Sequence, residues 1–195
     1  VRLLRTGLHR LLPRVRDKMA SSDIGQIMRG SAILGAGCLS GLYFIFSFCV
    51  MGALDAQPPA SAIATMNSIN AVIVNPPFML IFMGTPLICA ALLHSCFKEG
   101  IASSLDNKLT AAGALMLLLG EFLLTLTVHI PKNDALAKYE LGSRNDALTW
   151  TAYYTAWTPW NHVRMLASMV TVVLLSSALH LRATRLAGMQ PTQMQ

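Results

Sequence analysis

The chain has 195 residues, of which 54% are hydrophobic and only 12% are charged. A chain of this size cannot bury so much apolar surface away from water, because small domains leave a large fraction of their surface exposed. This composition excludes a soluble enzyme and a nucleic-acid-binding domain, although the net charge is +6. No charged residue occurs from Gly30 to Leu54 or from Ala56 to Phe97, so a lipid bilayer is the expected surroundings.

The N-terminal arm, residues 1–29, is strongly basic. From Val1 to Lys18, leucine and valine recur at helical spacing between arginines, and Asp17 is the only acidic residue. Such Arg-rich, acid-poor segments are typical of mitochondrial targeting sequences and also of helices that lie on an anionic membrane surface. We therefore predict an amphipathic helix, and both interpretations of it stay open.

Four segments are long and apolar enough to cross a bilayer, which takes about 20 residues of helix. They are about residues 31–53, 78–97, 109–130 and 163–181, in a membrane domain of residues 30–182 that precedes a tail of residues 183–195. The pattern predicts an all-α integral membrane four-helix bundle with short interfacial helices on its outer face. Most of the 15 Lys and Arg residues fall on the side that holds both termini. The positive-inside rule places that side in the cytoplasm or the mitochondrial matrix.

Small residues in the first predicted span form the motif Gly37-x-x-x-Gly41. Glycines at this spacing let a second helix approach closely in lipid, where the hydrophobic effect does not drive association. We predict that Gly37 and Gly41 pack within the bundle, with contact to another subunit as the alternative. The four cysteines also lie within spans, and we interpret them as small apolar side chains.

An uncharged segment between the first two spans carries Asn67, Asn70 and Asn75. Asn75 precedes two prolines, which is the pattern of a helix N-cap followed by proline at the first helical position. We predict a short helix over about residues 60–74 that lies on the outer face or dips into it, followed by a break and the second span. The amide side chains need polar partners at that depth.

Polar side chains also occur within the last two spans. Glu121 and His129 lie on one inclined row of the third span, and Asn161 and Arg164 begin a polar stripe on the fourth. A charged group within the membrane costs about 2.5–3.5 kcal/mol, so Glu121 should face the bundle interior, with Arg164 as its expected ion-pair partner. A structural polar seam and a pocket open to the outer face are both compatible with this pattern.

An aromatic series precedes the fourth span, with Trp150, Tyr153, Tyr154, Trp157 and Trp160 at helical spacing. Trp and Tyr are favoured where membrane meets water, because their rings are apolar and their tips polar. The series therefore predicts one face of an interfacial helix. The alternative is that these rings form the walls of a pocket.

Two histidine pairs would be needed to hold haem, His94 with His180 and His129 with His162. His162 and His180 are separated by about 27 Å along a helix, which would push both haems to the membrane edges. We therefore predict no haem, no metal and no other cofactor.

Three sequence blocks together resemble a known family. They are Met66-Asn67-Ser68-Ile69-Asn70 with Asn75-Pro76-Pro77-Phe78-Met79, Thr127-Val128-His129-Ile130-Pro131-Lys132-Asn133, and Trp157-Thr158-Pro159-Trp160-Asn161-His162-Val163-Arg164. They resemble the small four-span family of anthrone-oxygenase-like membrane proteins over about residues 33–181, most specifically through W-x-x-W-N-x-x-R. The resemblance implies that fold and, as in some fungal members, the oxygenation of anthrones to anthraquinones without an evident metal or flavin.

The resemblance also implies a set of polar motif residues. Carried over by position, they are Asn70, Asn75, Asn133, Trp160, Asn161 and Arg164. With Glu121 and His129 they form the candidate polar pocket near the outer face, in which Arg164 would stabilise a phenolate-type anion. His129 departs from the family pattern, because relatives often have another polar residue there. No catalytic residue is singled out among them.

Two functions from different classes follow. We favour an accessory, structural subunit of a multi-subunit complex of the mitochondrial inner membrane, of respiratory-chain type, with both termini in the matrix. Its partners would be lipid and other membrane subunits, and it would have no catalysis of its own. The alternative is a membrane-bound, cofactor-independent oxygenase that acts on an aromatic, lipid-soluble substrate of the anthrone or phenol kind.

Overall fold

The computed structural model describes the backbone of residues 2–188 and the side chains of residues 23–188. Every regular element in this part of the chain is helical, and the predicted all-α fold class is confirmed. The α-helices are α1 (Arg2–Ile45), α2 (Met51–Asp55), α3 (Pro59–Val72), α4 (Pro76–Glu99), α5 (Leu105–Leu117), α6 (Ile130–Ala137) and α7 (Asp146–Gly188). Wider π-helical turns at Phe46–Val50, Leu118–Leu123 and Thr125–His129 and a 3₁₀ turn at Ile101–Ser103 join some of them.

Four continuous helical stretches are long and apolar enough to cross a membrane. They are Asp23–Asp55, Pro76–Glu99, Leu105–Ala137 and Asp146–Gly188, and each contains one of the predicted spans. Large apolar side chains point outward from them, and Leu80 and Leu87 are more than 70% exposed. Surfaces of this kind face lipid, so the fold is that of an integral membrane protein.

The four long helices form a bundle in which neighbours along the chain pack side by side. Helix α1 packs against α4 and α7, and α5 packs against the same two helices. The middle of the bundle is an apolar layer of small and branched side chains, including Ala36, Cys89, Leu117 and Leu175. Helices α3 and α6 contact each other and α7, and they cover the end of the bundle opposite both termini.

Helix α3 and its junction with α4 follow the predicted pattern. The backbone of Asn75 is extended, and its side-chain Oδ1 accepts a hydrogen bond from the amide nitrogen of Phe78 at 3.1 Å. Pro76 then occupies the first helical position, where its missing N–H costs nothing. The predicted N-cap is therefore confirmed, and it fixes where the chain turns from α3 into α4.

The aromatic series does not form a separate interfacial helix. Helix α7 runs without a break from Asp146 to Gly188, through Pro159, so the predicted interfacial helix and the fourth span are one element. Trp150, Tyr153 and Trp157 are buried on its inward face. These three rings therefore pack in the core and are not a surface anchor, and of the series only Trp157 lines the cavity described below.

The two ends of the chain extend beyond what the side-chain description covers. The N-terminal arm is helical from Arg2 and continuous with the first span, as one long helix. The predicted amphipathic face of that arm lies outside the described side chains. The tail over residues 189–195 lies outside the described residues as well.

Close packing between α1 and α4 depends on Gly35 and not on the predicted pair of glycines. A Cβ atom at Gly35 would lie 2.0 Å from Thr85 Oγ1, whereas one at Gly37 or Gly41 would meet no atom within 4 Å. The prediction that Gly37 and Gly41 pack within this bundle is therefore wrong. With about 3.6 residues per turn, both lie on the side of α1 opposite Gly35, and contact with another subunit stays an open prediction.

Replacing Gly35 by alanine is expected to destabilise the fold by about 2 kcal/mol, because Thr85 is short and α4 must shift to make room. The control is Gly37→Ala, which meets no atom and should be neutral or slightly stabilising, since alanine favours a helix. Unfolding in mixed detergent micelles, followed by circular dichroism, measures both. Equal stability of the two variants would contradict the assigned packing.

Charged side chains hold the other end of the bundle together. Arg182 is buried and donates to Glu99 at 3.1 and 3.3 Å and to Asp106 at 3.4 Å. Arg185 donates to Asp106 at 2.9 Å, and Asn107 donates to Glu99 at 3.2 Å. This cluster, which we call the inner charge cluster, ties the ends of α4, α5 and α7 to one another.

Candidate functional site

A cavity of about 230 Å³ lies at the end of the bundle that α3 and α6 cover. It is larger than an engineered apolar cavity of roughly 150 Å³ that binds benzene. Most of its wall is apolar and aromatic. The polar side chains in the wall are Tyr43, Asn70, Thr125, His129, Asn133, Trp157 and Arg164.

The cavity reaches the lipid-facing surface on one side. Val74, Met83 and Ile130 all line it and are also exposed on the outside of the bundle. All three are apolar, and they come from the α3–α4 connection, α4 and α6. An opening lined in this way favours an apolar, lipid-soluble ligand.

Arg164 occupies the polar end of the cavity and is only 6% exposed. It donates one hydrogen bond to Asn161 Oδ1 at 2.7 Å and another to Thr125 Oγ1 at 3.1 Å. Its guanidinium carbon lies 4.3 Å from the centre of the Tyr43 ring and 5.3 Å from the Trp157 ring. Two aromatic faces and two neutral acceptors thus hold a buried cation.

The predicted ion pair between Arg164 and Glu121 does not form. Within the described side chains, every ion pair involves Arg182 or Arg185 at the inner charge cluster. Glu121 is fully buried and accepts a hydrogen bond from the Tyr43 hydroxyl, while the face of the same ring receives Arg164. Arg164 contacts Thr125, which lies about one turn after Glu121 on the third span. The Tyr43 ring therefore lies between the two charged groups.

Asn133 is the centre of a hydrogen-bond network on the opposite wall. Its Oδ1 accepts from the Tyr153 hydroxyl at 2.8 Å and from the Trp157 indole nitrogen at 3.1 Å. Its Nδ2 donates to Asn70 Oδ1 at 3.1 Å. The network joins α3, α6 and α7, so the two asparagines named by the sequence blocks do meet. His129 lies edge-on to Trp157, with ring centres 5.0 Å apart.

Several buried polar atoms of the cavity wall have no hydrogen-bond partner in the described part of the chain. They are Asn70 Nδ2, both ring nitrogens of His129 and Arg164 Nε. Buried polar groups in folded proteins are nearly always paired, because an unpaired one loses its hydration without compensation. Four of the nine such atoms among the described side chains lie on this cavity wall, where a ligand would complete their hydrogen bonds.

The predicted site residues are only partly brought together. Asn70, His129, Asn133 and Arg164 line the cavity, and Asn161 stands behind Arg164 as a hydrogen-bond acceptor.

The other three predicted residues lie elsewhere. Asn75 is exposed and caps α4, Glu121 lies behind Tyr43, and Trp160 is 45% exposed on the outside of α7. The prediction that Trp160 belongs to the pocket is wrong, because Trp157, almost one turn earlier, is the ring that faces the cavity. The sequence interpretation missed Tyr43, although it is the only tyrosine in the first uncharged run.

The four histidines that could form haem-binding pairs differ in exposure and in their contacts. His94 and His180 are exposed, His162 contacts Phe48, and His129 is buried against Trp157. Over residues 23–188, no group of three or more His, Cys, Asp or Glu side chains is placed to hold a metal ion. The cysteines divide evenly, because Cys89 and Cys96 are buried while Cys38 and Cys49 are exposed.

Comparison with known proteins gives one match. Residues 78–174 match the family described as anthrone oxygenase. This match confirms the predicted resemblance to the anthrone-oxygenase-like family over this range. The matched range includes His129, Asn133, Trp157 and Arg164, whereas Asn70 lies before it. No curated protein and no solved structure matches the chain at a significant level.

Proposed function

We propose that this protein is a membrane-bound, cofactor-independent oxygenase whose substrate is an aromatic, lipid-soluble anthrone or phenol. The observation that carries the proposal is Arg164, a buried cation on a cavity wall that forms no ion pair with a described side chain. A buried charge without a counter-charge is costly. A ligand that becomes an anion during its reaction supplies this counter-charge as the negative charge develops, and Arg164 stabilises it.

The first step is the removal of a proton from the ring methylene of an anthrone. His129 is the candidate base, because a neutral imidazole has one unprotonated nitrogen and neither ring nitrogen of His129 has a partner among the described residues. The electron pair of the broken C–H bond moves to the carbonyl oxygen and gives a phenolate-type anion. Arg164 stabilises the negative charge on that oxygen.

Dioxygen is the oxidant in the second step. The methylene carbon forms a bond to one oxygen atom, and the resulting peroxide takes back the proton that His129 holds. Loss of water from this hydroperoxide breaks the O–O bond and leaves a second carbonyl on the ring. One dioxygen is consumed for each substrate, with one oxygen atom retained in the anthraquinone and the other released as water.

A second candidate function is the accessory subunit of a larger complex in the mitochondrial inner membrane, with both termini in the matrix. The observation that favours it is the outer face of α1, where Gly37 and Gly41 are exposed and meet no atom of the described chain. Glycines on a lipid-facing helix surface allow another helix to pack closely. The basic residues at the end that holds both termini support this orientation.

One preparation tests both candidates. The protein is purified in mild detergent, its size is measured on a native gel, and anthrone oxidation is followed by oxygen uptake and by anthraquinone absorbance. The proposed oxygenase predicts a small species that consumes one dioxygen per anthraquinone formed, above the rate without protein. Migration only within a very large complex, with no turnover, would favour the subunit.

A further inference from the structure

The orientation of the Asn133 amide is determined by Trp157. An indole N–H donates hydrogen bonds and cannot accept them. The Asn133 atom that lies 3.1 Å from the indole nitrogen must therefore be the carbonyl oxygen Oδ1. The Tyr153 hydroxyl donates to the same oxygen at 2.8 Å, so both contacts agree on the orientation.

The orientation of Asn133 then determines that of Asn70. Because Oδ1 of Asn133 faces Trp157, its Nδ2 faces Asn70 at 3.1 Å. An amide nitrogen only donates, so Asn70 must present its own Oδ1 to this contact. The NH₂ group of Asn70 is left with no partner among the described side chains, although it is buried and its residue lines the cavity.

We propose that Asn70 Nδ2 binds a hydrogen-bond acceptor oxygen of the ligand, a ring carbonyl or an ionised hydroxyl. Asn133 and Trp157 are positioning residues that keep this group a donor. The inference deepens the proposed function and rests on it, because it requires that the cavity binds an aromatic ligand. The ligand class it selects is an aromatic ketone or phenolate in preference to an aromatic hydrocarbon of the same shape.

The hydrogen bond between Asn133 and Asn70 matters, because an isolated asparagine would not distinguish a ligand that accepts a hydrogen bond from one that donates it. A free amide can turn over and offer either its oxygen or its nitrogen to a ligand. Here, turning Asn70 over would place its NH₂ group against the NH₂ group of Asn133 and lose that hydrogen bond. A site that holds a fixed donor rejects ligands that leave the donor unpaired, because a buried unpaired donor is costly.

Binding of two probes of similar shape tests the inference. Anthrone carries the carbonyl oxygen and anthracene lacks it, and binding of each is followed anaerobically by quenching of tryptophan fluorescence. In Asn70→Leu, the affinity for anthrone should fall about tenfold, which is the loss of roughly one hydrogen bond, with anthracene unchanged. The control is Asn67→Leu on the same helix, because Asn67 donates to the Leu136 carbonyl and does not line the cavity.

A second variant tests the positioning role while Asn70 itself is retained. In Asn133→Asp, both carboxylate oxygens accept, so Asn70 must turn its NH₂ group toward residue 133 and its oxygen toward the cavity. Anthrone affinity should again fall about tenfold, with anthracene unchanged. Unchanged anthrone binding in Asn70→Leu overturns the donor assignment, and unchanged binding in Asn133→Asp alone overturns the positioning role. If the wild type binds neither probe, the proposed function itself fails.

Discussion

Replacing Arg164 by methionine is expected to reduce anthrone oxidation by a factor of about 100 to 1,000 while the bundle stays folded. Methionine keeps much of the length and the apolar stem but removes the charge that stabilises the anionic oxygen. The fold should tolerate the change, because the substitution removes a buried charge that has no ion-pair partner among the described side chains. The rate of anthraquinone formation in detergent, with circular dichroism as a check of folding, measures the effect.

Two further variants make this result specific. Arg164→Lys keeps the charge, but a single ammonium cannot bond Thr125 and Asn161 while lying flat on the Tyr43 ring, so it should recover only part of the rate. Arg144→Met removes an exposed arginine in the loop before α7 and should leave the rate unchanged. Wild-type turnover in Arg164→Met would contradict the assigned role.

Replacing Arg182 by alanine is expected to destabilise the fold by about 3–5 kcal/mol, which is typical when one partner of a buried ion pair is removed. Asp106 is only 3% exposed, and Arg185 would be its one remaining basic partner in the described structure. The loss also separates the end of α7 from α4. Unfolding in mixed detergent micelles, followed by circular dichroism, measures the change.

The matched control for this prediction is Glu99→Gln. The Glu99 side chain is 44% exposed, so water compensates most of the lost charge, and the expected change is below about 1 kcal/mol. Anthrone binding should be unaffected in the control, because Glu99 lies at the opposite end of the bundle from the cavity. If Arg182→Ala proves as stable as Glu99→Gln, the inner charge cluster does not hold the helices together.

The membrane fold could be predicted from the sequence because lipid allows few alternatives. Backbone polar groups must be paired within each span, so a chain with four long uncharged or nearly uncharged segments has to form helices. Local chemistry was equally readable at Asn75, where a cap followed by proline places the start of α4. Hydrophobicity and helix capping, which act within one helix, therefore gave correct predictions.

The rest depended on which faces of different helices meet, and periodicity within one helix contains no such information. Gly37 and Gly41 have the spacing of a packing motif, yet Gly35 is the glycine that touches α4. Glu121 and Arg164 are the expected charge pair, yet Tyr43 from a third helix lies between them. Trp157 and Trp160 both belong to the W-x-x-W-N-x-x-R run, but the rotation of α7 turns only Trp157 toward the cavity.

The sequence by itself therefore determined the class of protein, an integral membrane helical bundle, and it named four polar residues that line the cavity. Composition and spacing carry that information, because hydrophobicity and helix capping act over short stretches of chain. Only the tertiary structure decided the cavity, the hydrogen bond between Asn70 and Asn133, and the burial of the Arg164 cation in the cavity wall. Each of these depends on side chains from different helices, which meet only after the helices have packed.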